Sequence, residues 1–189
     1  MPMSCIAVST ERLAAFCRII GRVKKLLIVW CSTTGGTRQM AQAAERGARE
    51  SLGAGDAVEV ERLAAGEAGP GDVLAADALL LATPEHLGSM AGPMKDFLDR
   101  VYYPCLDRVN GRPWALLVCA GSDGHGTIRQ AERIATGLRL RRVAEPVLVL
   151  TNAQTPEAIL APKTIGEADL ARCAEAGALL AAGLASGVC

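Results

Sequence analysis

Residues 26–37 read Leu26-Leu27-Ile28-Val29-Trp30-Cys31-Ser32-Thr33-Thr34-Gly35-Gly36-Thr37, an apolar run that passes without a spacer into four hydroxyls and two glycines. The run is short, continuous and partly β-branched, as a strand covered on both faces requires. Beyond Thr37 the period changes, and Met40, Ala43, Ala44, Gly47 and Ala48 fall on one helical stripe. Strand, Gly-rich turn and helix in direct succession form the opening unit of an α/β fold.

The same alternation continues along the chain. Apolar runs recur at 57–63, 78–83, 114–120 and 147–151. Helical stripes lie between and after them: Met94, Phe97, Leu98 and Val101; Ile128, Ala131, Ile134, Ala135 and Leu138; Leu170, Cys173, Ala174, Gly177, Leu180 and Leu184. Residues 64–76 are rich in Gly, Ala and Pro and leave room only for a short helix near Val73 to Ala75. Five strands alternating with helices predict a parallel, doubly wound sheet with helices on both faces. Residues 25–189 read as one domain, and residues 1–24 as an N-terminal extension, helical or disordered. A stripe of Leu13, Phe16, Cys17 and Ile20 among basic residues marks that extension, with a targeting peptide as its alternative.

Composition narrows the function. Lys plus Arg and Asp plus Glu number 20 each, so the net charge is zero and no global field favours nucleic acid or an anionic membrane. No apolar run approaches the ~18 residues of a membrane span. Seven cysteines without a Cys-x-x-Cys pair point to a reducing, cytoplasmic setting with mostly buried thiols and no structural metal. Trp, Tyr and Phe number two each, so the core must be aliphatic and a planar ligand finds few rings to stack on.

A doubly wound sheet binds ligands beyond the carboxyl ends of its strands, where strand order reverses. The loops after the first, third and fourth strands hold the informative residues. In the first, glycines let backbone N–H groups converge, hydroxyls add donors and the helix N-terminus adds partial positive charge, which together suit a phosphate monoester. The nucleoside-triphosphate loop and the G-x-G-x-x-G fingerprint are both missing. Cys-x5-Arg fails by one residue, since Thr37 stands where Arg38 would be needed. A receiver domain's acids are replaced by Cys31 and Thr83.

Ser32-x-Thr34-Gly35-x-Thr37 resembles the [ST]-x-T-G-x-T phosphate loop of the flavodoxin-like family. Pro84-Glu85-His86-Leu87-Gly88-Ser89-Met90, running into Lys95-Asp96-Phe97-Leu98-Asp99-Arg100, is similar to the NAD(P)H-dependent FMN reductase and tryptophan-repressor-binding-protein-type quinone reductase branch. The resemblance spans roughly Lys25 to Leu150. It implies strand order 2-1-3-4-5 and an FMN phosphate held by Ser32, Thr33, Thr34, Gly35, Gly36 and Thr37. It further implies a flavin ring edged by Pro84, Glu85, His86, Leu87, Gly88, Ser89 and Met90, with a second wall from Gly121, Ser122, Asp123, Gly124, His125 and Gly126. NADH or NADPH is then the co-substrate, a quinone-like or other small molecule the electron acceptor, and a homo-oligomer, dimer or tetramer, the expected assembly. Tyr102 to Leu106 is the candidate contact.

No catalytic side chain is demanded, and His86 and His125 are the weak candidates. Lys95 and Asp99 are expected to pair along a helix. Two other readings share the fold. A flavodoxin-type one-electron carrier would be acidic and would sandwich its flavin between aromatics, whereas here the charge is zero and neither ring loop contains Trp, Tyr or Phe. A flavin-free interaction module is the other.

Overall fold

A computed structural model describes residues 22–188. The amphipathic stripe at 13–20 lies outside the described residues. The elements are β1 (Lys24–Trp30), α1 (Gly36–Glu50), β2 (Val58–Ala64), α2 (Pro70–Ala75), β3 (Ala78–His86), β4 (Ser89–Met90), α3 (Gly92–Cys105), β5 (Pro113–Ala120), α4 (His125–Gly137), β6 (Arg141–Arg142), β7 (Val147–Leu150), α5 (Pro156–Leu160) and α6 (Glu167–Ser186).

The parallel sheet runs β2-β1-β3-β5, with β6 and β7 sharing the outer edge of β5. Counted as five strand positions, this is the order 2-1-3-4-5. The fifth position is split: β6 pairs with Pro113 and Trp114, and β7 with Leu117 to Ala120. Pro146, between the two pieces, has no N–H to donate and sits where an edge strand tolerates it.

The sheet is buried on both faces, which explains the unbroken apolar runs. Leu26 and Ile28 pack under α1 and α6, while Leu27 and Val29 pack under α2, α3 and α4. Each of these fully buried side chains is worth about 1.5–3 kcal/mol. The aromatic shortage is met as the composition requires: Phe97 and Trp114 are the buried rings of one layer, and aliphatic residues fill the rest.

Helices α1 and α6 meet at a seam of small residues. A Cβ on Gly47 would stand 2.2 Å from the Ala174 carbonyl oxygen, and one on Gly177 would stand 2.0 Å from that of Ala44. The backbones therefore touch. This close crossing clamps α1, and with it the turn at its N-terminus, against the sheet.

Candidate functional site

A cleft of about 550 Å³ opens beyond the carboxyl ends of β1, β3 and β5, beside the point where strand order reverses. It brings together Ser32, Thr33 and Thr34 from the first loop with Thr37 at the start of α1, Pro84 to Gly88 from the end of β3 and the turn after it, and Gly121 and Ser122 from the loop after β5. Gly35 lines an adjoining cleft. Gly36, Ser89, Met90, Asp123, Gly124, His125 and Gly126 stand outside the lining of the main cleft.

The first loop is built around Gly35, whose φ of 87° lies in the left-handed region and turns the chain into α1. Ser32 Oγ accepts the Gly35 N–H at 3.1 Å. Gly36 leaves no room for a side chain, because a Cβ there would meet Cys119 Sγ at 2.9 Å. The N–H groups of the first helical turn have no intrahelical acceptors and face the cleft end of the helix. Thr37 is buried, and its Oγ1 has no hydrogen-bond partner among the described residues. Beside it is the Cys119 thiol, outside hydrogen-bond reach, whose pKa burial pushes up against the opposing pull of the Thr37 hydroxyl and the Lys163 charge.

The second segment differs from the loop expected after the third strand. β3 continues through Pro84 to His86 and returns as β4, with Glu85 opposite Met90 and His86 opposite Ser89. Leu87 and Gly88 form the two-residue turn, with φ values of 53° and 72°. Both central residues are left-handed, as a type I′ hairpin needs, although Leu rarely occupies that place. His86 Nε2 lies 3.3 Å from Thr33 Oγ1 and ties this hairpin to the first loop across the mouth.

Several polar groups of the hairpin are committed to α4. Glu85 accepts from the Gly124 N–H at 2.8 Å, and from the Thr127 N–H and hydroxyl at 3.3 and 3.2 Å. Gln130 Oε1 accepts from Ser89 Oγ at 2.7 Å and from the Met90 N–H at 3.0 Å. Gly126 is a glycine because a Cβ would lie 2.0 Å from the Gly88 carbonyl oxygen. Gly124, at φ 84°, begins α4 without any side-chain cap of its own, so the cap comes from Glu85. Asp123 and His125 are exposed.

A further wall escaped the sequence reading: Cys119, Ala120, Thr151, Ala153, Ile159, Leu160 and Lys163. The segment after β7 folds over the first loop. Thr155 caps α5 by accepting the Ala158 N–H at 3.2 Å, and Lys163 donates to the carbonyls of Ala158, Ile159 and Ala161 at 2.6–3.0 Å. Gln39 fastens the segment to α1 through Lys163 O and the Ile165 N–H, and the Lys163 N–H reaches Thr34 O at 2.8 Å. Thr155-Pro156 was a readable helix start, but nothing local signals the rest.

Leu87, Ile159 and Leu160 leave an apolar, solvent-facing rim. Tyr102 and Tyr103 lie on α3 by a separate surface cleft, away from this site. Lys95 pairs with Asp99 at 2.7 Å, as expected. Among the described residues no His, Cys, Asp and Glu gather as a metal would need, and no helix is long and apolar enough to cross a membrane.

This sheet order, with a hydroxyl-rich turn opening a helix at the reversal point, defines a flavodoxin-like protein. An archaeal flavodoxin superposes with a TM-score of 0.66 at 18% identity, covering 85% of this chain and 98% of that one. A flavodoxin, WrbA-like protein from Agrobacterium tumefaciens gives 0.65 at 19%, covering 85% and 97%. At that identity the likeness speaks for the fold.

Within the fold, residues 24–155 match the NADPH-dependent FMN reductase family model, and the chain belongs to that family. A flavodoxin of Aquifex aeolicus is 32% identical, over 54% of this chain and 51% of its own. An NAD(P)H dehydrogenase (quinone) of Acidithiobacillus ferrooxidans is also 32% identical, over 41% and 47%. The chain thus spans about half the length of these curated relatives.

Proposed function

We propose that this chain is an FMN-binding oxidoreductase that takes electrons from NADH or NADPH and delivers them to a quinone-like or other small acceptor. The observation that carries the reading is Thr37 Oγ1, a buried hydroxyl without a partner at the N-terminus of α1, because such a group is costly unless a ligand satisfies it. The residues fit the cofactor. Ser32, Thr33, Thr34 and Thr37, with the N–H groups around Gly35 and Gly36, would hold the phosphate. Pro84, His86, Leu87 and Gly88 on one side and Gly121 and Ser122 on the other would border the ring. Glu85, Ser89, Met90, Gly124 and Gly126 support that border through their mutual contacts, and Asp123 and His125 stand at its outer end.

FMN, when bound, supplies the exchange of electrons between nicotinamide and acceptor. The protein's own work is to bind, orient and shield. No side chain is required to move a proton, though His86, at the mouth, is placed to donate a hydrogen bond. Among the described residues no Phe, Tyr or Trp lines the main cleft, which favours an open face for two substrates to use in turn.

The Aquifex flavodoxin favours a second reading, a one-electron carrier. Anaerobic titration of the yellow protein separates the two. Direct two-electron bleaching by NADH or NADPH supports the enzyme, whereas a one-electron stage at half reduction without nicotinamide oxidation supports the carrier. Thr37→Val is expected to weaken FMN binding by about 1–3 kcal/mol. A colourless protein that takes up no added FMN would overturn both readings and leave the interaction module. A dimer or tetramer is the proposed assembly, tested by light scattering.

A further inference from the structure

We infer that the mouth of the main cleft selects an uncharged acceptor that carries an aliphatic tail, an alkyl-substituted quinone rather than an anionic molecule; this rests on the oxidoreductase reading above and narrows its acceptor. The exchange balances without a further reactant. NADH or NADPH gives up a hydride, water supplies the second proton, and the quinone leaves as quinol.

The tail is inferred from the rim. Leu87 is fully exposed at the tip of the β3–β4 turn, with a φ of 53° that a leucine rarely adopts. Asn or Gly would make the same turn more easily, so the leucine gains nothing inside the described protein. Lining the same cleft, Ile159 and Leu160 are 51% and 75% exposed. They belong to α5, which buries none of its residues. Polar ties hold that segment instead: the Thr155 cap, the Lys163 N–H on Thr34 O, and the two contacts of Gln39. Its apolar side chains are therefore displayed at the mouth rather than used in the core, and a rim of this kind marks a surface that another apolar group covers. Because α5 starts at Pro156 and the family match ends at residue 155, the rim it supplies lies outside what the family model covers.

The absence of charge is inferred from the lining. Glu85 and Lys163 are its charged side chains among the described residues. Glu85 is committed to Gly124 and Thr127, and the Lys163 ammonium to three carbonyls. Neither is left to pair with an ionised acceptor, whose desolvation would go uncompensated. The Ser122 hydroxyl remains to hydrogen-bond an uncharged carbonyl head, and the tail then leaves across Leu87, Ile159 and Leu160.

The test compares methyl-1,4-benzoquinone with its decyl-substituted derivative on the FMN-loaded protein, below the micelle concentration of the latter. Calorimetry without nicotinamide reads binding alone: the decyl compound should bind about tenfold tighter, the effect of burying about two CH2 groups. With saturating NADH or NADPH, kcat/KM should rise by the same factor. The double variant Ile159→Ser with Leu160→Ser should bring the decyl compound down to the methyl one, while methyl-quinone binding, FMN affinity and stability in denaturant stay unchanged, since α5 buries no side chain. A tail advantage missing from the wild type, or kept by the double variant, overturns this inference and leaves the oxidoreductase reading standing. So does a dimer or tetramer that falls apart in the double variant by light scattering, because the rim is then covered by a second copy of the chain. Reduction of neither quinone by NADH or NADPH overturns the oxidoreductase reading itself.

Discussion

Glu85 is one of the residues through which the hairpin and α4 hold each other, and replacing it tests the architecture of the hairpin wall of the cleft. Glu85→Ala removes one contact at 2.8 Å and two at 3.2–3.3 Å, and it leaves α4 with no side-chain cap, since Gly124 provides none. Loss of a helix cap costs about 0.5–2 kcal/mol. Loss of a negative charge at a helix N-terminus adds about 0.3–1 kcal/mol. The sum centres near 2 kcal/mol, or roughly 4–8 °C in Tm for a chain of this size. Glu85→Gln keeps one acceptor oxygen and should lose about half as much. Urea unfolding at neutral pH, with the m-value checked for constancy, gives the first readout, and FMN affinity gives the second, because a loosened hairpin no longer presents Pro84 to Gly88 in one place. Thr127→Val removes only the hydroxyl contact, so the double variant with Glu85→Ala should fall short of additivity. An alanine variant within about 0.5 kcal/mol of wild type, or strict additivity with Thr127→Val, would refute the argument.

Three other outcomes are expected. In the absence of FMN, Thr37→Val should stabilise the fold by about 1 kcal/mol, since an unpartnered buried hydroxyl gives way to a methyl of similar shape; a loss of apo stability in denaturant melts would count against its being orphaned. Gly177→Ala gains about 1 kcal/mol of helix propensity but forces α6 away from the Ala44 carbonyl, so net destabilisation of about 1–3 kcal/mol is expected, and a rise in Tm would show that the seam is looser than the 2.0 Å approach implies. Burial pushes the Cys173 thiol up to about 12, above the ordinary thiol range, so the unfolded chain sheds this proton first as pH rises. Stability from this group is complete below about pH 9 and falls by about 1.4 kcal/mol per pH unit from there towards 12; Cys173→Ala should flatten that slope in alkaline unfolding titrations.

The geometry of the first loop was legible because its parts are contiguous. Ser32 to Thr37 supply turn, hydroxyls and helix start within six positions, and local sequence dictates that geometry before any tertiary contact forms. The alternation of runs and stripes likewise revealed the sheet, since burial on both faces leaves its mark in every strand. The β3–β4 wall of the cleft is less legible for the opposite reason. Leu87-Gly88 lacks the Asn-Gly or Asp-Gly signal of a two-residue hairpin, so the local sequence predicts a loop where β4 forms. Glu85, Gln130, Gln39 and Lys163 look like ordinary polar residues until their partners, 39 to 126 positions away, are brought alongside. Their specificity is set by topology, which no single stretch encodes. This division has a functional consequence. The turn at Ser32 to Thr37 can form wherever its strand and helix form, whereas the opposite wall of the cleft exists only when β3, α4 and the segment after β7 have all docked, so on the proposed reading changes that weaken docking should impair ring placement before they impair phosphate binding.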